Sequence, residues 1–364
     1  DVRDNGAGPQ TINVTGPLNL FGGTGGLADQ GNYAAILAAG PQVITAGNTT
    51  LTAEASGFSN FAAIGSPDQD ITVHGNLTLM GGGSTPGANA SADARIGGRA
   101  GAAATPTHLM LTVAGHGTLL GRPASHGGSA RGSSFTGGQP TDITMMVGGN
   151  LTMNPGTVSL SGSRIGSPGA GISGGNIAIS AGGNITMNSS IAPGTLGTVI
   201  RTLGDVTLDA NNINIGGSVL SRAQTINAAG NITVAAGGVG NAVASATGPQ
   251  LISAGGAITV QGGTGTGLSA QILGSAGQTI SASSVNVIGG SGTNSFAEIY
   301  QTGLAGSQSV DASSITIIGG SGGANNFARI RNDGTGAQTI NVAGPLNLVG
   351  GTGGVADSGN FAQI

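Results

Sequence analysis

Residues 10–36 read QTINVTGPLNLFGGTGGLADQGNYAAI, and residues 338–364 read QTINVAGPLNLVGGTGGVADSGNFAQI, identical at 21 of 27 positions. Between these copies the same grammar returns in weaker form. A β-like run is followed by a small-residue corner, a second β-like run, a glycine cluster, and an aromatic-Ala-x-Ile segment. Self-similarity at a period of about 20 to 50 residues is the signature of a solenoid.

Composition excludes the main rivals. The chain has 364 residues and 74 glycines, without the strict every-third-residue glycine of collagen. Disorder requires low hydrophobicity and high net charge. Here 38% of residues are hydrophobic and the net charge is −4. That mild acidity gives no reason to expect nucleic acid. No apolar run reaches the roughly 18 residues that suggest a membrane span. With no Cys there is neither a disulfide framework nor a thiolate metal site. A start at Asp1 fits a mature or excised segment.

Strict alternation of apolar and polar residues marks a half-buried strand. Strand a of each unit shows it in Gln10–Val14, Gln69–Val73, Gln278–Ser281 and Gln338–Val342, with Ile12 and Val14 pointing in and Thr11 and Asn13 out. Strand b follows as Pro17–Leu20, Asn76–Leu79, Asn150–Met153, Asn184–Met187 and Asn231–Val234. After a glycine cluster comes strand c, as in Asn32–Ile36, Ser295–Ile299 and Asn326–Ile330. Like follows like at one-unit distance, which predicts parallel stacking rather than hairpins. The fold expected is all-β: a parallel, right-handed β-helix with three short strands per coil and about 12 coils. Residues 1–364 form a single solenoid in this reading, with an irregular insertion at 97–140 and a coil near 204–223 too short for a third strand.

The segments GGNLTMNPG, AGGNITMNS and AAGNITVAAGG resemble repeats of filamentous-haemagglutinin-type exoproteins, the two-partner-secretion adhesins of Gram-negative bacteria. The resemblance covers most of the chain. It implies a right-handed parallel β-helix, export through a partner pore in the outer membrane, and an adhesive or surface-matrix role outside the cell. The secretion domain with which that family begins is not seen in this stretch.

Candidate chemistry is sparse. Asp68 with Asp70, and Asp205 with Asp209, are the close carboxylate pairs that a glycosidase would need. Asp68 and Asp70 read better as turn formers, and no acid–base partner accompanies either pair, so no catalytic residues are assigned and no enzyme is expected. Arg95, Arg99, His108, His116, Arg122, His126 and Arg131 cluster in or beside the insertion. Their spacing does not suit zinc, and Asp93 is the acid nearby. They constitute either a basic contact for an acidic glycan, receptor or neighbouring rod, or a solvated loop, the second reading being favoured. No cofactor or metal is implied, and the first calcium-like cluster, Gly22–Asp29, places its Asp two positions late. Asn-x-Ser/Thr triplets at Asn13, Asn48, Asn76, Asn89, Asn150, Asn184, Asn188 and Asn231 are glycosylation sequons by pattern. Strand alternation alone produces them, and their Asn side chains are expected to form hydrogen-bonded ladders along the stack. An outward Asn/Thr array also suits an ice-binding face, but Pro17, Ala257, Ser284 and Pro345 break it.

In strand c the position before Ile (Ala35, Ala63, Arg95, Gln271, Glu298, Arg329, Gln363) faces outward by parity. Glu298 and Arg329 then form an exposed salt bridge between neighbouring coils, worth at most about 1 kcal/mol. Tyr33, Phe61, Phe296, Phe327 and Phe361 also project outward, covered by the glycine loop or free for lateral association. The two end copies lie 328 residues apart, so residues 338–364 begin a second copy of a higher-order repeat. The function expected is a non-enzymatic shaft, continuing in a longer chain or stacking end to end. The alternative is an adhesin that contacts a glycan or cell-surface receptor through 97–140.

Overall fold

A computed structural model describes residues 1–23, 32–53, 61–82, 94–97, 107–121, 129–131, 141–156, 162–166, 175–191, 197–353 and 359–364. Those residues contain strands and turns and no helix, and every strand pairing between them is parallel. The protein is an all-β parallel β-solenoid. The strands repeat in the order a, b, c: Gln10–Asn13, Leu18–Phe21 and Ala34–Ala38 make one rung, Gln42–Ala46, Thr49–Thr52 and Ala62–Gly65 the next. Two compact units emerge, one of Asp1–Asn184 with Ser190–Asp205, the other of Ile185–Ser189 with Val206–Ile364.

Within each unit, equivalent residues stack. In the first, Ile12, Ile44, Ile71, Leu111, Met145 and Ile179 form one inward column on strand a. In the second, Leu208, Ile226, Ile252, Ile280 and Val310 do the same. Most are fully buried, as are Leu51, Leu79 and Leu119 on strand b and Ile64 and Ile96 on strand c. Short aliphatic side chains repeat because a narrow three-sided interior has no room for larger ones. One residue of register slip would turn every such column toward water, so the alternation fixes the pairing.

One expectation changes and another is narrowed. Within 97–140 the described residues 107–121 and 129–131 follow the coil pattern. Thr107–Val113, Gly117–Leu120 and Ser129–Arg131 are strands a, b and c of a rung, paired in register with strands on both sides. Residues 98–106, 122–128 and 132–140 of that stretch lie outside the described residues. The coil near 204–223 has its third strand, Ser218–Ser221, paired with Val243–Ala246. A single Gly-Gly step at 216–217 replaces the long glycine cluster there.

Candidate interaction surfaces

Polar side chains at the corners form a hydrogen-bonded row along the stack. At the corner between strands a and b, Asn48 Oδ1 accepts the backbone N–H of Asn76 at 2.8 Å, and Asn76 Oδ1 accepts that of His116 at 2.8 Å. His116 Nδ1 then accepts the N–H of Asn150 at 2.9 Å, and Asn150 Oδ1 that of Asn184 at 2.8 Å. The second unit repeats the scheme from Asn212 to Asn231 to Ala257. These are side-chain-to-backbone bonds, not the side-chain ladders expected from sequence. His116 therefore takes an asparagine's place in a structural row. The preceding glycine is required: a Cβ on Gly75, Gly115 or Gly183 would fall 2.1–2.2 Å from the Asn oxygen of the rung below. That is why the motif reads Gly-Asn.

A second row runs inside. Gln42 Nε2 donates to Gln10 Oε1 and Gln69 Nε2 to Gln42 Oε1, at 2.7 and 2.8 Å. In the second unit Gln224, Gln250, Gln278, Gln308 and Gln338 are linked by four such bonds of 2.7–2.9 Å. Apart from Gln10 and Gln338 these glutamines are buried. Sequence reasoning gave them no role, although the signal was present in the Gln that opens most a strands. A groove of ≈ 350 Å³ follows Gln224, Gln250 and Gln278 and is lined by no titratable side chain.

On strand c of the second unit, Glu298 and Arg329 are register partners, with Nη2–Oε2 at 2.7 Å and Nε–Oε2 at 2.8 Å. The pair is not exposed: the side chains retain 3% and 17% of their accessible surface. Gln271 donates to the other Glu298 oxygen from the rung before, and Arg329 lies 4.4 Å from the Phe327 ring centre. Neighbouring long side chains in register cover the carboxylate, an effect strand parity does not include. Phe296, Phe327 and Phe361 stack with ring centres 4.6 and 5.3 Å apart, and in the first unit Tyr33 stacks on Phe61 at 4.7 Å. Phe61, Phe296 and Phe327 are half-buried, while Tyr33 and Phe361 are exposed. Beside them, Tyr300 Oη donates to Asp333 Oδ2 at 2.6 Å and Arg331 Nε donates to Asp333 Oδ1. The phenol and guanidinium together hold the Asp333 carboxyl below its ordinary value. The same hydrogen bond, received by a carboxylate, raises the Tyr300 phenol.

Four of the seven candidate basic residues, Arg95, His108, His116 and Arg131, are among the described residues. Arg95 lies on strand c with its guanidinium 5.7 Å from the Phe61 ring. His108 lies exposed on strand a, its Nε2 3.5 Å from Asp142 Oδ2. His116 lies at the a–b corner, and Arg131 takes the register position next to Arg95. Arg99, Arg122, His126 and Asp93 fall outside the described residues. Asp68 and Asp70 sit exposed within a strand rather than at a turn, because Gln69 between them enters the buried row. Among the described residues no group of three His, Asp or Glu could hold a metal ion. No protein-family model, curated protein or solved structure matches this chain.

Proposed function

We propose that the chain is a structural, non-enzymatic segment of the shaft of a secreted or surface-anchored bacterial exoprotein, extended by adding like rungs along the solenoid axis. The observation that carries this reading is the polarity of the glutamine row. In the two glutamine rows every described Gln–Gln bond points to the preceding rung, so each rung that carries the glutamine offers the next the same acceptor. Gln338, in the rung that copies residues 10–36, makes that bond to Gln308 just as Gln42 makes it to Gln10. Successive rungs that carry the glutamine can template one another. Absence of Lys leaves few trypsin-like cleavage sites, which suits an extracellular fibre.

Electron microscopy of the native protein tests the proposal. Unbranched rods longer than a single chain of this length, of constant width, are expected. Compact particles of one chain each would exclude a fibre role.

A further inference from the structure

The described b strands carry no charge. In the unit of Asp1–Asn184 and Ser190–Asp205 they run from Leu18–Phe21 to Leu151–Asn154 without Asp, Glu, Arg or His. In the other unit they run from Ile185–Met187 to Leu346–Val349 and are equally free of charge. Where strands a and b are continuous, as in Gln308–Ile318, Asp311 lies in the a half. Charged residues stand on strands a and c, as Asp70, Asp209, Glu298 and Arg329 do.

One outward column of the b side keeps its chemistry. In the first unit Asn19, Thr50, Thr78, Thr118 and Thr152 are register partners. In the second, seven successive rungs from Thr186 to Asn347 have Thr or Asn there. Strand structure does not demand this: the outward column of strand a in the first unit runs Thr11, Val43, Asp70, Met110 and Thr144. Internal hydrogen bonding does not use it either. The corner Asn and buried Gln rows are spent on bonds, whereas no side chain of this column has a hydrogen-bond partner among the described residues. Pro17, Ala257, Ser284 and Pro345 do not interrupt it, because each stands two residues earlier in the chain. Two residues later, a neighbouring outward column includes apolar pairs, Met80 with Leu120 and Ile288 with Ile318. All four are half-buried, and Phe21 and Val349 beside them are 58% and 49% exposed.

We propose that in each unit this uncharged b side docks on the b side of a second copy of the chain, column against column. The surface is self-complementary. A Thr hydroxyl and an Asn amide each donate and accept, so the column can hydrogen-bond to its own copy, where a column of one charge would repel it. Both columns repeat at about 4.8 Å, so a contact made at one rung recurs at the next, whereas a ligand of another spacing falls out of step. Met80, Leu120, Ile288 and Ile318 add apolar contact beside the hydroxyls, and depletion of charge suits the centre of an interface. Identical surfaces meet about a two-fold axis and cover one another, so pairing stops at two. The contact lies across the solenoid and does not depend on the axial extension proposed above.

Small-angle scattering and sedimentation of the full chain read cross-section and length separately. The wild type is expected to have twice the cross-sectional mass of one solenoid, unchanged in high salt, where contacts between charges are screened. T78K/T259K places an ammonium in the column of each unit and is expected to weaken pairing about tenfold or more. T144K, at an exposed position on strand a, is expected to leave pairing intact. Thr118→Cys supplies an independent readout, since the chain has no Cys. Its thiol is expected to be alkylated more slowly in the pair than after dilution to single solenoids, and a Thr144→Cys thiol equally fast in both. Single width at every concentration, pairing that survives T78K/T259K at unchanged circular dichroism, or equal reactivity of the Thr118→Cys thiol would overturn the proposal. So would single solenoids that adsorb to ice or to an insoluble neutral glucan through this column, which would assign it another partner. Length does not enter these readouts, so failure of pairing is distinct from failure of the fibre reading.

Discussion

Asn150 Oδ1 accepts the backbone N–H of Asn184 one rung on, at 2.8 Å, and lies where a side chain on Gly183 would have to go, 2.2 Å from an ideal Cβ. One oxygen thus explains both halves of the Gly-Asn pair. Gly183→Ala must push Asn150 aside, losing that bond and shifting the corner. It is expected to destabilise by about 2 kcal/mol, against about 1 kcal/mol for Asn150→Ala, which only exposes an N–H to water. Denaturant unfolding of the two variants checks the order; Asn150→Ala costing more would contradict it.

Gln278 links Gln250 to Gln308 inside the second unit. Gln278→Leu removes both bonds and strands Gln250 Oε1 in a dry environment, at a cost of about 1–3 kcal/mol. Gln308 suffers less, because its Nε2 keeps the Arg331 carbonyl at 3.1 Å. Hydrogen exchange should show the loss centred on rung 250 rather than rung 308. In the first unit the row stops where Leu109 stands beside Gln69, whose Oε1 has no partner. Leu109→Gln is expected to raise the unfolding midpoint, the added bond outweighing the lost aliphatic contact.

Glu298→Gln leaves Arg329 partly buried against Phe327 without its counter-charge. Breaking a buried pair costs about 3 kcal/mol or more, well above the figure for an exposed pair. A double-mutant cycle with Arg329→Met isolates the coupling. A coupling near zero would show that Gln271 and the ring stack suffice without the ion pair.

The Tyr300–Asp333–Arg331 group gives a pH signature. The Asp333 carboxyl is lowered in the folded chain, so its contribution is present above the unfolded carboxyl range and lost as pH falls through the folded value. The Tyr300 phenol is raised, so its contribution holds below the ordinary phenol value of about 10 and is lost above the folded value. Asp333→Asn is expected to bring the Tyr300 ultraviolet titration back toward that ordinary value. An unmoved titration would refute the coupling.

Much of the fold was legible because a solenoid writes its core locally. Alternation placed Ile44, Ile71 and Leu79 inside without knowledge of any distant contact. Site features were less legible, since they depend on what stands one rung above or below. Glu298 read as exposed by parity, yet Gln271 and Arg329 cover it. His108 and His116 read as neighbours of Arg95, yet eight residues of strand and corner carry the two histidines to different edges of the coil, and Arg95 lies on another strand. Gln at the start of strand a received no role from sequence, because its partner is some 26 to 32 residues away.

The sequence by itself determined the parallel all-β solenoid, the inward columns and the small-residue corners, because each follows from period-two alternation and a repeated unit. Only the tertiary structure decided how the copies of residues 10–36 and 338–364 are held to their neighbours. Both rely on a Gln–Gln bond of the same kind, between Gln10 and Gln42 and between Gln338 and Gln308. Register between rungs is a long-range property. Which carboxylates are covered, which arginines align and which asparagines are spent on backbone N–H groups depend on it, and one rung read alone contains none of that information.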